Sequence, residues 1–107
     1  MAQIATFVTA QIRVERVAGL ETDFRELLRA GGQPGMPGPE KSFLLRTGED
    51  RVAILSLWAS RADVDALLAS GEEPPARRLI RAHGGTPEVT LWEVVVEGSP
   101  ATDRSGS

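Results

Sequence analysis

The stretch from Arg51 to Ser60, RVAILSLWAS, most constrains the fold of this chain. Apolar residues occupy both of its alternating faces, and a helix start follows it directly. A strand that is apolar on both faces must be covered on both sides. Because a chain of 107 residues has helices enough for only one of these two coverings, the sequence predicts that the second covering comes from outside the chain.

Composition narrows the class of protein. The chain has the length of one domain, and its 12 Lys and Arg against 15 Asp and Glu give a net charge of −3. The basic residues form no stripe, so we expect neither nucleic acid nor a membrane surface as a partner. Cysteine is absent, which excludes disulfides, thiolate metal sites and cysteine nucleophiles. No apolar run reaches the roughly 18 residues of a membrane span, and no signal-peptide pattern is present, so we expect a soluble, cytoplasmic protein.

Apolar periodicity predicts the secondary structure. Residues 4–13 alternate as a first strand, and a single apolar stripe predicts a helix from Val17 that Gly31 and Gly32 end. Residues 42–47 predict a second strand that pairs with the third as an antiparallel hairpin. The proline-rich residues 33–40 predict a rigid loop.

The second half of the chain predicts a broken helix and a last strand. Ser60 and Asp63 have the spacing of a capping box at a helix start, and Pro75 suits the first turn of a second helical piece. Residues 89–97 predict a fourth strand that is apolar on both faces, with Trp92 as a buried structural residue. Residues 98–107 are small and polar, so we expect a domain over 1–97 and a disordered tail over 98–107.

This order predicts an α+β, ferredoxin-like βαββαβ fold with an antiparallel sheet. Both helical regions then lie on one sheet face. The other face would present Ala53, Leu55 and Leu57, or their alternates, as an apolar patch larger than soluble monomers usually expose. We therefore expect a homodimer whose two sheets pack face to face.

The segment Leu55–Ser70, LSLWASRADVDALLAS, resembles the antibiotic biosynthesis monooxygenase domains. In both, a strand ends in Trp, a Ser follows two positions later, and an acidic, leucine-bearing helix begins. Residues 32–55, GQPGMPGPEKSFLLRTGEDRVAIL, are similar to the family's loop and hairpin. The resemblance implies a dimeric α/β barrel with a ligand pocket between helices and sheet, and in some members the cofactor-free oxidation of aromatic polyketides such as anthrones.

The family's functional positions carry over in part. The strand-end Trp matches Trp58, and the Asn that quinone-forming members place earlier on the same strand face falls at Ile54. This chain contains no Asn. The family's helix Arg corresponds to Arg78 or Arg77. Haem-degrading members carry a ligating His soon after the Trp, where this chain has leucine, so the resemblance does not imply haem degradation.

The residues themselves suggest a small-molecule site and leave alternatives open. Trp58 is suited to an aromatic ligand or to core packing. His83, the only histidine, is a candidate general base or a favourable charge at a helix end. Arg78 is a candidate for stabilising an oxyanion or an exposed helix residue. We predict catalytic roles for these three, and substrate contacts for a second group: Ile54, Ser56, Phe24 and Leu67.

The predicted function is a cofactor-independent monooxygenase acting on an aromatic, polyketide-like small molecule in secondary metabolism. We expect no cofactor and no metal, because one histidine with scattered carboxylates makes no metal cluster and the glycines form no phosphate-binding motif. The alternatives are a non-catalytic dimeric protein that binds a small molecule, an accessory protein, and a cyclase or isomerase on the same fold.

Overall fold

The computed structural model describes residues 3–31, 38–96 and 98, and the predicted α+β fold is confirmed. Its elements follow in the order strand, helix, strand, strand, helix, helix, strand. They are β1 (Ile4–Gln11), α1 (Val17–Ala30), β2 (Lys41–Thr47), β3 (Arg51–Trp58), α2 (Arg61–Ala69), α3 (Pro75–Ala82) and β4 (Glu88–Glu93). The predicted tail from residue 99 onward and residues 33–37 of the predicted loop lie outside the described residues.

The four strands form one sheet in the order β2-β3-β1-β4, and every neighbouring pair is antiparallel. The predicted hairpin of β2 and β3 is present, with Gly48 at φ 69° in its turn. This backbone conformation favours glycine because it has no Cβ. The sheet therefore has the strand arrangement that the ferredoxin-like pattern predicts.

The helices cover one face of this sheet. Along β3, the side chains of Val52, Ile54, Ser56 and Trp58 are buried, and the alternate residues are half-buried or exposed. Leu20 of α1 and Ile80 of α3 are fully buried in a core that includes Val52 and Ile54. Alternating burial along one strand shows that a single helical layer protects one side of the sheet.

The opposite face, which we call the outer face, carries large apolar side chains. Phe43 and Leu45 of β2 are 43% and 41% exposed, and Trp92 of β4 is 61% exposed. The prediction that Trp92 is buried was wrong. The ring lies on an edge strand and on the face that no helix covers, so no other element of the described chain encloses it.

Three local predictions had different outcomes. Ser60 precedes α2 as expected, but its side chain makes no capping hydrogen bond, so the predicted capping box is wrong. Pro75 occupies the first turn of α3, as predicted. The last strand ends at Glu93, which is paired with Ile4 at the start of β1, so the predicted extension over residues 94–96 is wrong. Residue 97 of the predicted strand lies outside the described residues.

Candidate active site

A cavity of about 360 Å³ lies between the sheet and the helices. Its volume falls in the range of small-molecule pockets, roughly 300–1,000 Å³. The sheet forms its floor, while α1 and α2 contribute Phe24, Leu27, Leu67 and Leu68, and the start of α3 closes another side. Since most of these side chains are apolar, the cavity is suited to an apolar ligand.

Trp58 forms one wall of the cavity. It is the last residue of β3, is 6% exposed, and packs in a cluster with Ile4, Val64 and Leu67. Its Nε1–H donates a hydrogen bond to Thr6 Oγ1 at 3.0 Å. This bond and the surrounding packing fix the plane of the indole and use its donor.

The polar groups of the floor are hydroxyls. Ser42 Oγ lies 3.0 Å from Ser56 Oγ across the β2–β3 pair, and both residues line the cavity together with Thr6. Glu40, Lys41 and Arg77 are the charged residues among the described lining residues. Glu40 Oε1 accepts a hydrogen bond from Gln3 Nε2 at 3.0 Å.

The structure brings the predicted substrate-contacting residues together. Four of them line this one cavity beside Trp58, namely Ile54, Ser56, Phe24 and Leu67. They come from α1, β3 and α2, which the strand order and the helical layer bring together. Their contact with a substrate stays a prediction.

The two arginines of the predicted oxyanion position are placed differently. Arg77 is half-buried and lines the cavity, whereas Arg78 is exposed and is not among the lining residues. Adjacent residues of a helix point about 100° apart, so only one of them faces a given neighbour. Only Arg77 is therefore positioned to contact a molecule in the cavity, and the catalytic role of Arg78 stays a prediction that its position does not support.

His83 lies outside the cavity lining. It follows α3, is 9% exposed, and its Nε2 is 2.7 Å from Asp23 Oδ2 of α1. Its Cε1 faces Gly19, where an added Cβ would lie 3.2 Å from it. His83 thus connects the end of α3 to α1, and its predicted role as a base stays a prediction that this position does not support.

The sequence reasoning missed Thr6 and Ser42. Both are small hydroxyl residues in strands, a common combination that does not attract attention by itself. The signal that identifies them is register, because Thr6 and Ser42 are both Cα partners of Ser56. Register is available only when the strand pairing is known.

Two further classes of feature are absent from the described residues. No group of three or more His, Asp or Glu side chains in them is arranged to hold a metal ion. No described helix has the length and apolar character that crossing a membrane requires.

No protein-family model matches this chain, and no curated protein matches it significantly. Solved structures do match it. A "putative antibiotic biosynthesis monooxygenase" from Deinococcus radiodurans is 15% identical with a TM-score of 0.66, and the match covers 92% of this chain and 98% of that one. SnoaB, a cofactor-independent oxygenase from Streptomyces nogalater, is 15% identical with a TM-score of 0.61, over 94% of this chain and 100% of its own.

A third similar structure has a different chemistry. The haem-degrader MhuD from Mycobacterium tuberculosis, with two haems bound in its active site, is 23% identical with a TM-score of 0.63. That match covers 90% of this chain and 99% of MhuD. At such identities the likeness establishes architecture and not reaction. This chain therefore has the ferredoxin-like fold of the antibiotic biosynthesis monooxygenase-like proteins, as its sequence indicated.

Proposed function

We propose that this protein binds a flat aromatic small molecule in its cavity and oxidises it as a cofactor-independent monooxygenase of secondary metabolism. The observation that carries the proposal is the apolar cavity of about 360 Å³ with the fixed indole of Trp58 in its wall. Aromatic rings pack favourably against such a surface. The fold shared with SnoaB supports the reaction class.

The reaction we propose for an anthrone-type substrate is balanced without a cofactor. The substrate loses a proton, and its anion passes one electron to O₂. The two radicals combine at the former CH₂ carbon, and the resulting peroxide anion takes back the proton that the substrate lost. Loss of water from this hydroperoxide leaves the quinone. Arg77 is the lining residue suited to hold the substrate oxyanion, because a cation stabilises developing negative charge. Glu40 is the carboxylate that we assign as proton acceptor, as the described lining residues include no other.

Oxygen uptake with anthrone tests this proposal. We expect the wild type to consume O₂ and form anthraquinone, and we expect Arg77→Ala and Glu40→Gln to slow turnover by at least tenfold. Arg78→Ala is the matched control and should keep the wild-type rate. If the wild type shows no turnover above the uncatalysed rate, the proposed reaction is overturned. If a folded His83→Gln variant loses activity, the role of general base passes from Glu40 to His83.

A second candidate is a non-catalytic protein that binds the same class of ligand. It is favoured by the position of His83, which removes the best base from the cavity. This candidate predicts ligand binding with no change in ligand mass and no O₂ uptake. A cyclase or isomerase would change the structure of its substrate without consuming O₂. Oxygen uptake together with mass spectrometry and chromatography of the ligand therefore distinguishes the three.

The proposal includes a homodimer formed through the outer face. Phe43, Leu45 and Trp92 form an exposed apolar patch on this face, and such patches mark interaction sites. Packing against the same face of a second subunit, in an isologous dimer, would cover it. Sedimentation at micromolar concentration should give a dimer, and Leu45→Glu should give a monomer. A monomeric wild type would remove this part of the proposal. A cytoplasmic location also remains part of it, consistent with the absence of cysteine.

A further inference from the structure

Three hydroxyl side chains lie in one row across the floor of the cavity. Thr6 of β1 and Ser42 of β2 are each the Cα partner of Ser56 in β3. All three line the cavity. Because neighbouring strands are about 5 Å apart, the row extends about 10 Å across the sheet. We call these residues the hydroxyl row.

The hydroxyl row has more protons to donate than its own bonds use. Each hydroxyl carries one proton. The Ser42–Ser56 bond uses one of the three, and Thr6 Oγ1 accepts from Trp58. Among the described residues no acceptor takes the protons that remain, one on Thr6 and one on the serine pair. Two O–H donors are therefore available to a molecule in the cavity.

The helical side of the cavity offers these donors no acceptor among its described side chains. Across from the row stand apolar side chains of α1 and α2, including Phe24 and Leu67. A polar group in an apolar site is costly unless it is hydrogen-bonded. An apolar ligand with no oxygen would leave the two donors unpaired, whereas a ligand oxygen placed over the row would satisfy them.

We propose that the hydroxyl row is the specificity element of this cavity and selects polycyclic aromatic ligands that carry a carbonyl or phenolate oxygen. This inference rests on the proposed function and deepens it, since it names the chemical feature of the ligand that the floor recognises. In β3 the row passes through Ser56, which lies between Ile54 and Trp58 on the same face of the strand. The oxygen is thus held two residues from the position where the resemblance implies an amide.

Binding of a matched pair of tricyclic compounds tests the proposal. Xanthone carries a carbonyl oxygen, and xanthene has the same skeleton without that carbonyl. Neither requires turnover for its dissociation constant to be measured by calorimetry. We expect the wild type to bind xanthone at least fivefold more tightly than xanthene. Equal affinity for the two would overturn the role proposed for the hydroxyl row but not the binding of aromatic ligands in the cavity. If neither compound binds, the proposed function itself is overturned.

The serine pair provides a sharper test through non-additivity. In Ser42→Ala or Ser56→Ala, the remaining serine keeps a proton to donate, so we expect xanthone affinity to fall by less than about 1.5-fold. The double variant has no such proton and should lose about tenfold, the size of one net hydrogen bond. Xanthene affinity should be unchanged in all three. An additive series, or equal losses for xanthene, would contradict the proposal.

Matched controls separate recognition from folding. Thr9→Val removes a hydroxyl from β1 on the other sheet face, and it should leave xanthone affinity unchanged. Thr6→Ser keeps the third hydroxyl and should retain wild-type preference for xanthone, while Thr6→Val should reduce it. Thermal melting of each variant shows whether it folds. A folded Thr6→Val with an unchanged preference would remove Thr6 from the row.

Discussion

The two ends of the helical layer differ in how they use the same sheet face. At one end, which we call the packed end, Ile12, Leu20 and Ile80 are at most 1% exposed, and His83 and Gly85 are buried beside them. At the other end, the cavity end, Trp58 and Leu67 enclose about 360 Å³. His83, the only histidine of the sequence and the predicted general base, belongs to the packed end. The chemical type of a residue thus does not reveal whether the residue serves stability or binding.

The largest expected effect is loss of packing at the packed end. Ile80 is fully buried, so Ile80→Ala should lower the free energy of unfolding by about 2–5 kcal/mol through lost burial and a new void. Leu68→Ala is the control at the cavity end, where the side chain is 43% exposed, and it should cost less than about 1 kcal/mol. Urea unfolding at one protein concentration measures both. Equal costs would mean that the two ends do not differ in packing.

The next effect concerns the space at Gly85. A Cβ there would lie 2.5 Å from Ile12 Cδ1 and 2.9 Å from Ile80 Cγ2. Gly85→Ala should therefore destabilise the fold by about 1–3 kcal/mol through overpacking. Gly38 borders the cavity, and a Cβ there would meet nothing within 4 Å, so Gly38→Ala should not be destabilising. A neutral Gly85→Ala would show that the packed end has room to adjust.

His83 provides a direct test of the contrast between stability and binding. His83→Ala removes the contact with Asp23, and a double-mutant cycle with Asp23→Ala should give a coupling of about 1 kcal/mol in unfolding free energy. The dissociation constant for xanthone should stay within twofold of the wild type, because His83 does not line the cavity. Weaker binding with an unchanged unfolding free energy would contradict the assignment of His83 to the packed end.

The smallest effect is expected at the two arginines. Arg77 lines the cavity and Arg78 does not. For a xanthone that carries a carboxylate, Arg77→Ala should weaken binding about two- to fivefold, since an exposed ion pair contributes roughly 0.2–1 kcal/mol. Arg78→Ala should leave calorimetric affinity unchanged. The reverse order would return the oxyanion role to Arg78.

Much of the fold could be predicted because local patterns specify it. Gly31 ends α1 at φ 79° and Pro75 begins α3, both as local chemistry requires. The capping box at Ser60 was a local prediction that failed. Two other predictions failed because a distant part of the chain determines the outcome. Whether Trp92 is buried depends on what covers its sheet face, and where β4 ends depends on where β1 begins.

The candidate site likewise contains residues that local patterns predict and residues that only long-range contacts identify. Trp58, Ile54 and Ser56 were predicted from the alternation of one strand, which sets the face that each side chain occupies. Thr6 and Ser42 could not be predicted as site residues, because only their pairing with Ser56 places them in the floor of the cavity. Arg77 and Arg78 are neighbouring residues of the same type, and only the orientation of α3 shows which of them faces the cavity.

Local sequence patterns were enough to predict the elements, the ferredoxin-like order and the apolar excess of β3, because these follow from periodicity and turns within a few residues. Which residues meet depends on the tertiary structure. It joined α1, α2 and β3 around a cavity, aligned three hydroxyls across three strands, and placed His83 against Asp23. The physical reason is that strand register and helix orientation are set by contacts between residues far apart in the chain, which no local pattern records.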